Sequence, residues 1–218
     1  MARQQIPDDA FPLDLPFGGG RWLVQNSPEN RVPSHGTKAF GSSHAIEFVP
    51  VEEWGRSTPR SLRSLVRSEP PEVFVGFGRP ILSPTSGTVV VAHDGEPDHE
   101  DRRSQLTLVP YMLNQGRRVR AGPAAIAGNH VVVAISPTGP YILVAHLRPS
   151  SVQVSVGESV SIGQQLVECG NSGNSTEPHV HVQVSYSTDW DQANGIPMAF
   201  RHPGERLWIP SNAEIVEA

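Results

Sequence analysis

The chain has 218 residues, 37% of them hydrophobic, a length that can bury one substantial core, and its 20 glycines and 21 prolines break it too often for long helices. Its formal charge is −5, from 17 basic and 22 acidic residues, and no dense Lys/Arg block occurs, so nucleic acid is not expected as a partner. No stretch approaches the roughly 18 consecutive apolar residues of a membrane span, so none is expected.

In chain order, residues 1–20 read as a loose lead-in ending in "GGG". They hold no uninterrupted apolar segment of the export-signal kind, so the sequence as given is expected to be cytoplasmic, with extracellular or cell-wall action open by another route. A strand is expected at "RWLVQN" (21–26), then a polar loop, then a second strand at "HAIEFVP" (44–50). Residues 51–72 read as an insertion, with a short helix near 60–67 stopped by Pro70 and Pro71.

From residue 72 the texture changes to short β-branched runs: "EVFVG", "TVVVAHDG", "HVVVAISPTG", "YILVAHL", "VQVSVGESV", "QQLVECG" and "HVHVQVS". Such runs, closely spaced and divided by turns, predict an all-β fold, with antiparallel sheets packed as a sandwich or rolled like a barrel. The polar stretch 96–128 is a second insertion, expected at the rim where a loop can shape a groove. A final strand is expected in "ERLWIPSNAEIVEA", and residues 21–210 are read as one domain. The single cysteine, Cys169, reads as a small packing residue. His93, His99 and His202 read as solvated, and the four tryptophans as packing or groove-rim residues.

Chemistry is concentrated at "GNSGNSTEPHVHVQV" (170–184). In a strand, His179 and His181 point to one face about 6.5–7 Å apart, so one imidazole can bind a metal while the other leans over its open position. His146 ends the apolar run "YILVAHL", where a buried strand normally carries Leu or Val. Upstream, "SHGTKAFGSSHAIEFV" offers His35 from a loop and Glu47 from inside a strand. His44 and Glu47 fall on opposite faces of that strand, whereas His35 has no such restriction. Counting donors gives His35, Glu47 and His181, two imidazoles and a carboxylate, which is the donor set of a catalytic zinc. His146 and His179 are then placed to orient or deprotonate an activated water and to stabilise an oxyanion.

Residues 76–184 resemble the lysostaphin/LytM-type zinc metallopeptidases. The segments that carry the resemblance are "GFGRPILSPTSGTVVVAHDG", "GNHVVVAI" and the closing block from "YILVAHL" to "HVHVQV". The resemblance implies a small antiparallel β fold with a groove across one sheet, bound Zn2+, and a peptide or peptidoglycan-like substrate. It places catalytic histidines at His146 and His179 and a metal ligand at His181. Val144 stands where the family usually has tyrosine. The remaining ligands fall on His35 and Glu47, Glu replacing the usual Asp at a longer spacing, with His44 the other candidate for the upstream histidine. The implied activity is a zinc-dependent endopeptidase. A catalytically inactive binding protein on the same fold, or a zinc hydrolase of non-peptide amides or esters, are the alternatives. The sequence indicates no oligomeric state.

Overall fold

The computed structural model describes residues 6–59, 69–99, 122–202 and 206–218. The helix expected near 60–67 and most of the 96–128 insertion lie outside these residues. Within them no helix is long and apolar enough to cross a membrane.

The strands are β1 (Phe11–Leu13), β2 (Arg21–Gln25), β3 (Ile46–Val51), β4 (Pro80–Leu82), β5 (Gly87–His93), β6 (Asn129–Ala134), β7 (Tyr141–Leu147), β8 (Ser159–Val160), β9 (Gln165–Glu168), β10 (Val180–Ser185), β11 (Met198–Arg201), β12 (Leu207–Trp208) and β13 (Ile215–Glu217). Eight of them form one sheet in the order β13-β2-β3-β10-β7-β6-β5-β8, paired antiparallel throughout. A three-stranded sheet, β1-β11-β12, and the pair β4-β9 complete the set, with β1 and β11 parallel. The fold is therefore largely antiparallel β and sandwich-like, and among the described residues no closed barrel forms.

Side chains alternate across a strand, so each strand of the large sheet contributes to two faces. Trp22, Val24, Ile46, Phe48, Ile142, Val144, Val182 and Val184 share one face and are buried. They belong to the main core, together with Leu13, Phe17, Ile81, Leu166, Met198 and Phe200. On the other face, opposed residues form a row across five strands: Gln25, Glu47, His181, Ala145 and His130. Polar side chains replace the apolar ones along this row, and the groove lies over it.

Several expectations are corrected. The lead-in is not loose throughout, because Phe11–Leu13 pair with β11 and Leu13 and Phe17 enter the core. "EVFVG" forms no strand: Pro71 opens a 3-10 turn over Pro71–Val73, and Gly78 at φ 77° follows in a conformation that favours glycine. The strand expected from His44 starts at Ile46, because Ala39–His44 are folded into 3-10 turns with Phe40 and Gly41 in left-handed conformation between them. The "VQVSVGESV" run keeps only the two residues of β8 in strand. At the C-terminal end there are two short strands, β12 and β13.

Candidate metal centre and active-site groove

The β2–β3 connection brings His35 over the sheet, where its Nε2 lies 2.9 Å from Glu47 Oε1. His181, opposite Glu47 in the β3–β10 register, has Nδ1 4.0 Å from the same oxygen. The donor atoms of His35, Glu47 and His181 all lie within 4.8 Å of one another. Edges of a tetrahedral zinc site with ligands at about 2.0–2.1 Å are about 3.4 Å, so small side-chain adjustments close this set on an ion.

The outer atoms of each group are held by hydrogen bonds that turn the inner atoms toward one another. His181 Nε2–H donates to Gln183 Oε1 at 3.0 Å, and Gln183 Nε2 donates to the Phe40 carbonyl at 2.8 Å. His35 Nδ1 is 3.0 Å from Ser34 Oγ, which in turn donates to the Ser42 carbonyl. Asn26 Nδ2 donates to Glu47 Oε2 at 2.7 Å, so Oε1 is the oxygen turned toward the two imidazoles. Neighbours of this kind fix tautomer and orientation in metal sites. Gln183, Asn26 and Ser34 were not singled out from sequence. The available signal for Gln183 was its place two residues after His181, on the same face.

His179 and His146 stand beside this cluster. Nδ1–H of His179 donates to the Glu177 carbonyl at 2.8 Å, with Ser175 Oγ at 3.0 Å. Its Nε2 is buried without a hydrogen-bond partner and lies 3.7 Å from Glu47 Oε1. His146 Nδ1–H donates to the Ser172 carbonyl at 3.0 Å, and its ring centroid is 4.7 Å from that of His179. A bulge turns His146 toward the groove: β6 pairs Asn129 with Leu147 and His130 with Ala145, skipping His146, which adopts φ 67°. Simple alternation from Ala145 would have aimed this imidazole into the core.

The electrostatics follow from burial and mutual contact. Burial alone would raise the Glu47 carboxyl, but the imidazoles of His179, His181 and His35 hold it well below the usual carboxylate range. Burial lowers His146 well below the ordinary imidazole value, and His179 and His181 push it the same way. Burial likewise lowers His181 from the ordinary imidazole value. For His179 burial is outweighed by the Glu47 charge, and its value is raised.

The "GNSGNS" loop sets the histidine strand in place. Gly173 (φ 70°) and Gly128 (φ 61°) pack backbone to backbone, and a Cβ on Gly173 would lie 2.4 Å from Gly128 N. His99, expected to be solvated, instead binds this loop through Nε2 to the Gly173 carbonyl at 2.6 Å. The groove measures about 820 Å3. Leu143 and Ala145 form part of its floor, Trp190 and Ile126 line one side, and Thr37 and Phe40 line the other. Trp22 and Trp208 pack in the core, while Trp54 is 79% exposed. His44, the other candidate for the upstream ligand, stands outside the converging donors, with Nδ1 3.0 Å from Ser43 Oγ.

Two imidazoles and a carboxylate converging over a groove in an all-β sheet define a zinc-dependent hydrolase of the metallopeptidase class. Residues 111–194 match the family model described as Peptidase family M23. The matched segment includes His146, His179 and His181 but neither His35 nor Glu47, which join the site only through the fold. Among solved structures, the chain is similar to the catalytic domain of the prophage-encoded M23 protein EnpA from Enterococcus faecalis, with 16% identity, coverage of 84% of this chain and 93% of that one, and a TM-score of 0.44. It is also similar to the catalytic domain of lysostaphin from Staphylococcus simulans, with 17% identity, coverage of 81% and 88%, and a TM-score of 0.39. A zinc-containing peptidase from Vibrio cholerae is 19% identical over 64% of this chain and 46% of that one, with a TM-score of 0.33. Likenesses of this size carry no argument about the site, which stands on the family match and its own geometry.

Proposed function

We propose that this zinc-dependent peptidase holds its ion through His35 Nε2, Glu47 Oε1 and His181 Nδ1, and cuts peptides of the peptidoglycan type with His146 and His179 as its catalytic residues. The observation that carries the assignment is the convergence of those three donor atoms within 4.8 Å, each with its outer atoms bonded elsewhere. Zinc bound there supplies Lewis acidity, polarising a carbonyl and making a water a competent nucleophile near neutral pH.

The protein's own groups do the rest. His146, kept neutral by burial and with Nδ1–H committed to Ser172, presents Nε2 as a proton acceptor beside the cluster. His179, anchored through Nδ1, turns Nε2 toward Glu47, where it can hold a proton against the oxygen that gains negative charge. The raised value of His179 depends on the Glu47 charge, so neutralising that carboxylate would lower it again. Ala145 and Ala127 put only methyl groups against the groove beside the histidines, which leaves room for a peptide backbone lying close to the sheet.

The test is hydrolysis of glycine-rich peptides and of purified peptidoglycan stem peptides by the zinc-loaded chain, followed by mass spectrometry. Cleavage at a defined bond is expected, and His146→Asn should lower kcat/KM by about 10²–10⁴ while leaving zinc bound. Asn tolerates the left-handed backbone of that position. Stoichiometric zinc without cleavage of any peptide would overturn the substrate class and favour an amide or ester hydrolase.

A further inference from the structure

His130 is a buried imidazole in the groove to which the hydrolytic chemistry gives no task. It sits in β6, where all six residues of "NHVVVA" are buried, in register with Ala145 and, through Ala145, with His181. Its Nδ1–H donates to the Gly128 carbonyl at 2.7 Å, which fixes the tautomer and leaves the lone pair on Nε2. The ring of His93, opposite it in β5, stacks on it with 5.1 Å between centroids and 26° between planes, and so holds its orientation. Burial lowers the imidazole from its ordinary value against the pull of the Gly128 carbonyl, and His93 adds to the lowering, which favours the neutral form. Among the described residues Nε2 makes no hydrogen bond, yet it is not sealed from solvent as Nε2 of His179 is. His130 is 5% exposed, and it lines the groove.

We propose that His130 is a specificity-determining residue whose Nε2 accepts a hydrogen bond from a backbone N–H of the peptide substrate, about three residues from the scissile bond. The inference rests on the peptidase reading for the position of that bond. Packing alone would be served at this place by an apolar side chain, beside the cluster of Val132, Leu143 and Ala145. His130 stands two strands from His181 along the row, about 10 Å at the usual strand spacing. An extended peptide covers that distance in about three residues. Between the two histidines Ala145 contributes only a methyl group, so a backbone can run along the row from the zinc donors to His130. Neutral and with Nδ1–H committed, the imidazole offers the groove an acceptor alone, and the donor that every peptide repeats is its amide N–H. Water pairs with Nε2 in the empty groove, and a substrate that displaces this water without supplying an N–H leaves the acceptor unsatisfied. Proline, which has no N–H, is therefore disfavoured at that position.

The test uses the full zinc-loaded chain, acetylated octaglycine amide, and a series of the same peptide in which one amide N–H at a time is replaced by an ester oxygen. Cleavage is followed bond by bond by mass spectrometry, so the distance of each ester from the cut is known. At one position, two to four residues from the cut, the ester should lower kcat/KM about five- to tenfold in wild type. In His130→Phe, which keeps a ring for His93 to stack on, the ratio of amide to ester at that position should fall to about one, with zinc content unchanged. An ester penalty of equal size in both proteins, or none at any of these positions, would overturn the contact. A second readout needs neither turnover nor the His130 variant: imidazole nitrogen spectra of the zinc-loaded His146→Asn chain titrated with the same peptides. A His130 Nε2 resonance that moves with the all-amide peptide but not with one of the esters supports the contact even if no peptide is cut, a result that would sink the peptidase reading alone. A resonance that stays in place with every peptide, or moves equally with all of them, overturns it.

Discussion

Gln183 shows how much of the site is set by residues that do not touch an ion. Its Oε1 takes the Nε2 proton of His181 and so commits that imidazole to offering Nδ1, and its amide ties the strand to the left-handed Phe40. Gln183→Leu keeps the volume and removes both bonds. It should weaken zinc binding by about 10–100-fold, read by competition with a chromogenic chelator, and unchanged affinity would remove Gln183 from the site. His181 was legible in the sequence because an HxH in a β-branched run stands out. His35 and Glu47 were legible only by counting donors and by resemblance, since nothing local to "SHGTKAF" says which strand the loop will cover. His146 was legible as a residue out of place, but the bulge that turns it toward the groove was not, because a left-handed histidine leaves no mark of its own in the sequence.

Among the elements, the strands rich in Val and Ile were readable and the three-residue strands with proline were not. β5, β6, β7 and β10 follow the runs seen in sequence, whereas β1 and β4 each contain proline and gain their strand character from a partner far along the chain. Gly170 and Gly173 mark the segment before β10 as a turn in the sequence. Its reason is a backbone contact with Gly128 that only the fold reveals. Gly173→Ala should therefore destabilise the chain by about 1–2 kcal/mol or more in urea titration, since both the left-handed conformation and the 2.4 Å approach penalise a methyl group; wild-type stability would contradict that contact. Asp98 anchors the same loop, accepting the Asn171 N–H at 2.6 Å, and burial pushes its carboxyl up to about 6 from 3.8. With the folded value above the unfolded one, its contribution is fully present below pH 3.8 and is lost as pH rises through about 6. Asp98→Asn should flatten the stability profile across that window, and an unchanged slope would rule the carboxyl out as its source.

For the whole molecule, the large antiparallel sheet keeps two faces apart. One is an apolar face buried against the smaller sheets, and the other carries the row Gln25, Glu47, His181, Ala145 and His130 under a groove. The family match covers residues 111–194, and β2, β3 and the long connection between them supply Gln25, Glu47 and His35 from the first half of the chain. The zinc site proposed above needs these distant segments together. Metal content by plasma mass spectrometry, on wild type beside His35→Ala, Glu47→Ala and His181→Ala, tests it most directly. About one zinc per chain is expected in wild type and its loss in all three variants, with folding retained by circular dichroism. A wild type that takes up no zinc when it is supplied, or a Glu47→Ala variant that holds it as tightly as wild type, would contradict the site built here.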